Sequence, residues 1–321
     1  MISILLPAYN ASHYIADAID SILHQTFPSF ELIVIDDGST DDTVSLVQRF
    51  VEQDARVRLL SSLHGGLSRA LNLGIEAAQY PWIARMDADD IALPQRLERQ
   101  MAAVAAAPGV VAWGSYAYHM NSHGKTLGMA RVGPTTEQDF YRLRQAGHLV
   151  QLIHPTVLLK REVLLQVGGY KPEFEPVEEL ELFDRMAAYG PTLTIPEPLL
   201  RYRVHAQSVS MQRFFYQRVL MRYVVARYRA RLAGQPDLSL EQFLQDYNHQ
   251  PLLRRWMRKL QTSGMFYYRS AGLALGEGQY LQAGVYLGLA TLFHPHYSLD
   301  RVWQQVLSPE TRRLMKQEVI S

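Results

Sequence analysis

The chain has 321 residues, 48% hydrophobic and 20% charged, which is enough to bury a large core and too apolar for disorder to be the main state. It contains no cysteine, which excludes disulfides and any Cys-based zinc or redox centre and fits a reducing, cytoplasmic compartment. The net charge of +1 hides an asymmetry, with 17 Lys and Arg against 24 Asp and Glu up to Ser210, and 15 against 7 beyond it.

The apolar run over residues 1–10 has no basic leader or small-residue cleavage site, so it reads as a strand and not as a signal peptide. Short apolar runs at 2–6, 32–35, 57–60 and 82–85 alternate with amphipathic stretches at 14–23, 42–50, 67–78 and 94–106. That alternation predicts βα units around a mostly parallel sheet, the last helix opening near Pro94. Strand-like pieces at 110–120, 156–160 and 192–195 then extend the same sheet. Beyond residue 210 the pattern turns helical. Residues 212–233 set six arginines among aromatic and aliphatic side chains, and 265–294 reads as a helical hairpin turning at Gly276-Glu277-Gly278, similar to a single tetratricopeptide-like unit. The expected organisation is an α/β nucleotide-binding domain over 1–210 and a helical extension over 211–321. No apolar run approaches the roughly 18 residues of a spanning helix; the best, 283–293, is too short.

In open α/β sheets ligands bind beyond the carboxyl ends of the strands, so polar residues that close an apolar run there are candidates for a site. Strand one ends in Pro7-Ala8-Tyr9-Asn10, whose aromatic ring suits a nucleobase. Strand two ends in Asp36-Asp37-Gly38-Ser39-Thr40-Asp41-Asp42, which combines adjacent carboxylates, a glycine turn and a helix cap. Strand four ends in Asp87-Ala88-Asp89-Asp90, with three carboxylates in four positions. Like charges packed so closely repel and raise one another's pKa. A hard divalent cation, Mn²⁺ or Mg²⁺, relieves that repulsion and leaves room for water and diphosphate oxygens. Turn and cap chemistry accounts for either cluster alone and poorly for both together.

With these motifs in place, the front of the chain resembles the family 2 glycosyltransferases, inverting enzymes with a GT-A fold, a Rossmann-like and mostly parallel nucleotide-binding sheet flanked by helices. Further motifs carry the likeness as far as about Ser210: Gly66-Leu67-Ser68-Arg69-Ala70-Leu71-Asn72, His154-Pro155-Thr156, Gly168-Gly169-Tyr170 and Arg201-Tyr202-Arg203-Val204-His205. The resemblance implies a metal-dependent transfer of a sugar from a nucleotide-diphosphate sugar to a hydroxyl acceptor, in surface polysaccharide or glycolipid synthesis. It assigns the donor to Pro7, Tyr9, Asp37, Arg69, Asp87, Ala88 and Asp89. Tyr9 stacks on the base, Asp37 takes the base edge, Asp87 faces the ribose, and Asp89 holds metal and diphosphate. His205 adds a metal or phosphate contact, against the plainer expectation of a structural histidine. His154, Gly168 and Gly169 line the acceptor side. Tyr9 and Asp37 fit uridine, thymidine or guanosine, and the resemblance favours uridine.

An inverting transfer needs a general base for the acceptor proton. In the family this is the aspartate of a Glu-Asp pair that opens a helix, whereas here Val177-Glu178-Glu179-Leu180 places Glu179 at that position, with Glu178 as second candidate. Glutamate is one methylene longer and serves only if the acceptor sits further back. The competing expectations are an acidic first turn favoured by the helix dipole, and a catalytically inactive scaffold that keeps the fold and binds sugar or nucleotide. A nucleotidyltransferase would need a glycine- and basic-rich loop after strand one, which Ala8-Tyr9-Asn10-Ala11-Ser12 lacks. The basic, aromatic stretches at 212–233 and 251–260 are expected to touch anionic lipid at the cytoplasmic face, and no nucleic-acid partner is expected.

Overall fold

The computed structural model describes residues 1–303. The first strands and helices alternate as β1 (Ile2–Ala8), α1 (Ile15–Leu23), β2 (Phe30–Asp36), α2 (Thr43–Gln53), β3 (Val57–Ser61), α3 (Leu67–Ala77) and β4 (Trp82–Arg85). The four strands run parallel in the order β3-β2-β1-β4. Every residue of β1 and β2 is buried, because helices cover both faces of the sheet; this is why these strands read as unbroken apolar runs. In α1, Ile15, Ala18, Ile19 and Ile22 are buried at the spacing of one helical face. Each isoleucine so placed contributes about 1.5–3 kcal/mol of burial.

The chain continues through β5 (Ile91–Ala92), α4 (Arg96–Ala106), β6 (Ala112–Met120), β7 (Thr126–Ala130), α5 (Glu137–Gln145), β8 (Leu158–Lys160), α6 (Arg161–Gln166), α7 (Glu178–Met186) and β9 (Thr192–Arg203). These strands extend the sheet to nine, in the order β3-β2-β1-β4-β8-β6-β9-β5, with β7 on β6. Helix α4 starts two residues after Pro94, whose carbonyl instead accepts the Thr26 N–H. The strand expected from 156 begins at Leu158, since His154–Thr156 forms a 3-10 turn held by Thr156 Oγ1, which accepts from Ser115 N at 3.0 Å. Strand β9 runs eight residues past the expected end at 195, through Pro196 and Pro198. Register shifts opposite Tyr116 absorb the donors that the prolines lack.

The described residues divide into two units, Met1–Arg203 with Val219–Asp237, and Val204–Arg218 with the residues from Leu238 on. The sequence placed all of 211–321 in the extension; residues 219–237 pack instead with the first unit. Charge explains this difference. Helix α7 buries Glu181 and Asp184, and a buried carboxylate requires a cation. Helix α9 (Phe214–Leu232), which follows α8 (Val209–Gln212), supplies Arg231 to Asp184 and Arg227 to Glu181, the latter at 3.8 Å. Tyr223 stacks on Phe174 with ring centres 5.8 Å apart, and Tyr228 Oη donates to the Arg144 carbonyl at 2.8 Å.

In the second unit, α10 (Leu240–Asn248) opens on a Ser239/Gln242 capping box. Helices α11 (Leu252–Gly276) and α12 (Tyr280–Phe293) form the expected hairpin, turning through Glu277-Gly278, and α13 (Pro295–Val302) follows. Ala271 and Ala274 on α11 and Ala283 and Ala290 on α12 are buried, and a Cβ added at Gly264 of α11 would lie 3.3 Å from the Ala290 carbonyl oxygen, so the two helices approach closely. No helix among the described residues is long and apolar enough to cross a membrane.

Candidate active site

The loops after β1 and β2 are laced together by short hydrogen bonds. Asn10 N donates to Ser39 Oγ at 2.9 Å, and Thr40 N donates to Asn10 Oδ1 at 2.8 Å. Asp41 accepts from Ser12 and Thr43; burial alone would raise its pKa, but these hydrogen bonds outweigh it and bring the group down to about 2. Asp37 is buried, and its carboxylate accepts Gly65 N at 2.8 Å and Gly66 N at 2.9 Å, with His64 Nδ1 2.9 Å away. The ring of Tyr9 stacks on His64 at 4.2 Å. Tyr9, Asp37 and His64 therefore meet at one point at the strand ends, while Pro7 lies inside β1 opposite Ile35. Arg69, exposed on the first turn of α3, rests its stem on Gly65.

At the end of β4, Asp87, Asp89 and Asp90 each offer an oxygen within 4.8 Å of the others. Buried Arg85 grips Asp87 with both terminal nitrogens, at 2.6 and 2.5 Å. Asp90 is fully buried; one oxygen accepts Arg203 N at 2.8 Å and the other has no partner. Burial, then the charges of Asp89 and Asp87, push the Asp90 carboxyl well above its usual range. Burial also raises Asp87, with Arg85 opposing and Asp89 adding to the shift. Ala88 is buried between them. An all-oxygen, crowded donor set with an unpartnered buried oxygen fits a hard divalent cation.

A second carboxylate group lies at the start of α7. His154, Glu178 and Glu179 offer ligand atoms within 4.8 Å of one another. Burial pushes Glu179 up to about 7. It also raises Glu178 well above its usual range, where one carboxylate oxygen has no partner, and holds His154 well below its usual pKa and therefore neutral. His154 Nε2 lies 2.8 Å from Tyr170 Oη. Tyr170 is in turn clasped by Asn72, which accepts its N–H and donates to its carbonyl, each at 2.8 Å. Gly169 has φ +65°, and a Cβ there would lie 2.5 Å from Asn72 Oδ1, so its close approach is to a protein side chain. Around Gly168 there is open space. Glu175 accepts Ser68 N at 2.5 Å, tying the same loop to the start of α3.

Arg85 joins the two groups, since its charge acts on Asp87 and Asp90 and on Glu178, Glu179 and Tyr170. The sequence assigned no role to Arg85, although a charged residue closing an apolar strand was a signal. Asn72 and Tyr170 stood in recognised motifs without a role of their own, and nothing local marked His64. His205 belongs to the second unit.

Residues 3–168, just over half of the chain, match the profile of Glycosyl transferase family 2. The O-antigen biosynthesis glycosyltransferase WbnJ of Escherichia coli is 30% identical over 230 residues, covering 67% of this chain and 84% of that one. The amylovoran biosynthesis glycosyltransferase AmsE of Erwinia amylovora is 26% identical over 217 residues, covering 66% and 80%. Among solved structures, S. aureus TarS 1-349 in complex with UDP-GlcNAc aligns with a TM-score of 0.56 at 16% identity, covering 93% of this chain and 87% of that one. Mannosyltransferase PcManGT from Pyrobaculum calidifontis, in complex with GDP-Man and Mn²⁺, aligns at 0.53 and 17% identity, covering 99% and 84%. With the GT-A sheet and a family profile spanning strands β1 to β8, the chain belongs to glycosyl transferase family 2 and is a glycosyltransferase.

Proposed function

We propose that the protein is a metal-dependent inverting transferase that moves a sugar from a nucleotide-diphosphate sugar, with a UDP-sugar favoured, to a hydroxyl on a saccharide or lipid-linked acceptor. The observation that carries this reading is the pair of acidic groups that both feel the charge of Arg85, one crowded enough for a cation and the other tuned for proton transfer. The E. coli and E. amylovora relatives are named for O-antigen and amylovoran biosynthesis, which favours a surface polysaccharide or glycolipid product.

In this reading Tyr9 stacks on the base and Asp37 takes its edge, with Pro7 behind them, while Arg69 neutralises phosphate charge. Asp87, held by Arg85, faces the ribose, beside Ala88. Asp89 would hold Mn²⁺ or Mg²⁺, which when bound would supply positive charge beside the departing diphosphate. Glu179 takes the proton of the acceptor hydroxyl. The acceptor oxygen then bonds to the anomeric carbon from the face opposite the diphosphate, which leaves with the electron pair of the broken bond. A carboxylate near 7 is matched to that task, since it is strong enough to accept a proton and is substantially ionised at neutral pH. This favours the active reading over an inactive scaffold. Glu178 is the second candidate for the base, and His154, Gly168 and Gly169 border the acceptor. The protein works at the cytoplasmic face, with peripheral lipid contact through its basic helices.

Calorimetric titration with uridine, guanosine and thymidine diphosphates, each with and without Mn²⁺, tests the donor site. One nucleotide should bind tightly only with Mn²⁺. If none binds under any condition, the transferase reading fails.

A further inference from the structure

The second unit carries a helix end that is amphipathic the wrong way out. Helix α11 begins to bury residues only at Thr262; none of residues 252–261 is buried. Leu252, Leu253, Trp256 and Met257 are 76%, 72%, 67% and 52% exposed. At roughly 100° per residue these four fall within an arc of about 140°. A surface helix normally turns such an arc toward the core, so the first turns of α11 present an apolar stripe to their surroundings.

The rest of the helix circumference is basic. Arg254, Arg255, Arg258 and Lys259 fill it, and from Tyr247 to Gly276 the chain has no Asp or Glu. Arg258 leans on Tyr247, 3.3 Å above its ring, and Arg254 and Lys259 are exposed at the flanks. Two arginines of α9 differ from these, since Arg227 and Arg231 are held by Glu181, Asp184 and Asp237 within the first unit. The lipid contact expected of both basic stretches is thus best served by 251–260.

We propose that the N-terminal turns of α11 are a membrane-docking surface, inserting Leu252, Leu253, Trp256 and Met257 among the acyl chains of an anionic bilayer with Arg254 and Lys259 at the headgroups. This rests on the partner reading above and assigns it to one surface. The pattern is that of an interfacial helix lying in the membrane plane: an apolar arc, an indole suited to the headgroup boundary, and cations on the polar side. A protein groove would use the apolar arc alone. The unbroken positive charge is complementary to anionic phospholipid headgroups.

The test is co-sedimentation of the full chain with vesicles of phosphatidylcholine, with and without phosphatidylglycerol, at low and high salt. The chain should partition onto the anionic vesicles and be weakened by salt. The L252S/L253S/W256S variant should lose roughly tenfold or more in partition coefficient, and R254Q/K259Q should lose selectivity for the anionic lipid. Unchanged thermal unfolding of both variants shows that they fold, as expected for exposed positions. The proposal is overturned if wild type ignores anionic vesicles, or if the triple variant binds as well as wild type. It is also overturned if sedimentation velocity without lipid shows a dimer that the triple variant abolishes, which would assign the stripe to a second copy. Partitioning is read without nucleotide, so it can fail while donor binding stands, and the reverse.

Discussion

Asn72 and Tyr170 stand 98 positions apart and are joined as two strands would be, the carboxamide of Asn72 accepting the Tyr170 N–H and donating to its carbonyl, both at 2.8 Å. One side chain on α3 thereby fixes the loop that presents Tyr170 Oη to His154 and leads into Glu178 and Glu179. Asn72→Ala leaves two partly buried backbone groups unpaired, at a cost of about 1–3 kcal/mol. The expected outcome is a lower denaturation midpoint and a kcat, followed as nucleoside diphosphate release, reduced by about tenfold or more, with nucleotide affinity retained. A parallel loss of nucleotide affinity would instead mean that Asn72 acts at the donor.

The general base is tested by Glu179→Gln, which should lower kcat by about 10²–10⁴-fold. For wild type, kcat should rise with pH through about 7, because only the ionised carboxylate accepts a proton; this limb should vanish in the variant. Should the limb persist in Glu179→Gln and vanish in Glu178→Gln, the base is Glu178.

The same raised pKa sets a stability prediction of opposite sense. Between its ordinary value of 4.5 and about 7, the folded protein binds the Glu179 proton more tightly than the unfolded chain does. The contribution of this group is therefore complete below 4.5 and is lost as pH rises toward 7. Glu179→Gln should accordingly melt closer to, or above, wild type at alkaline pH than at acidic pH. A constant difference in melting temperature across that range would show that the group titrates normally.

The cation site is tested by Asp89→Ala and Asp90→Asn. The first should abolish metal-dependent nucleotide binding. The second keeps the shape of a fully buried group that anchors Arg203 N, and should weaken Mn²⁺ binding without unfolding the chain. Electron paramagnetic resonance of bound Mn²⁺ reads both, and unaltered Mn²⁺ affinity in Asp89→Ala would remove the aspartates from the metal site.

Gly66 has φ +92°, and a Cβ there would meet Glu175 Oε2 at 3.0 Å, next to the N–H that Asp37 accepts. Gly66→Ala should cost about 1–3 kcal/mol, because φ +92° with ψ 167° is a backbone region open essentially to glycine alone, and should loosen the loop that carries His64. Urea denaturation gives the first quantity, and nucleotide titration should show weakened binding.

The sequence by itself determined the sheet, the strand ends and the acidic clusters, because each is written locally. Buried parallel strands must be continuous apolar runs, and three carboxylates in four positions announce their own electrostatic problem. The hairpin of α11 and α12 was legible for the same reason, its small residues and glycine turn lying within one stretch. What tertiary structure alone decided involves partners distant in the chain. Asn72 meets Tyr170, the charge of Arg85 acts on both acidic groups, and His64 reaches Tyr9. Helix α9 was read as part of a separate extension, yet its arginines neutralise Glu181 and Asp184 on α7. No local pattern predicts that, because whether an arginine faces lipid, solvent or a buried carboxylate depends on where the fold has placed the carboxylate.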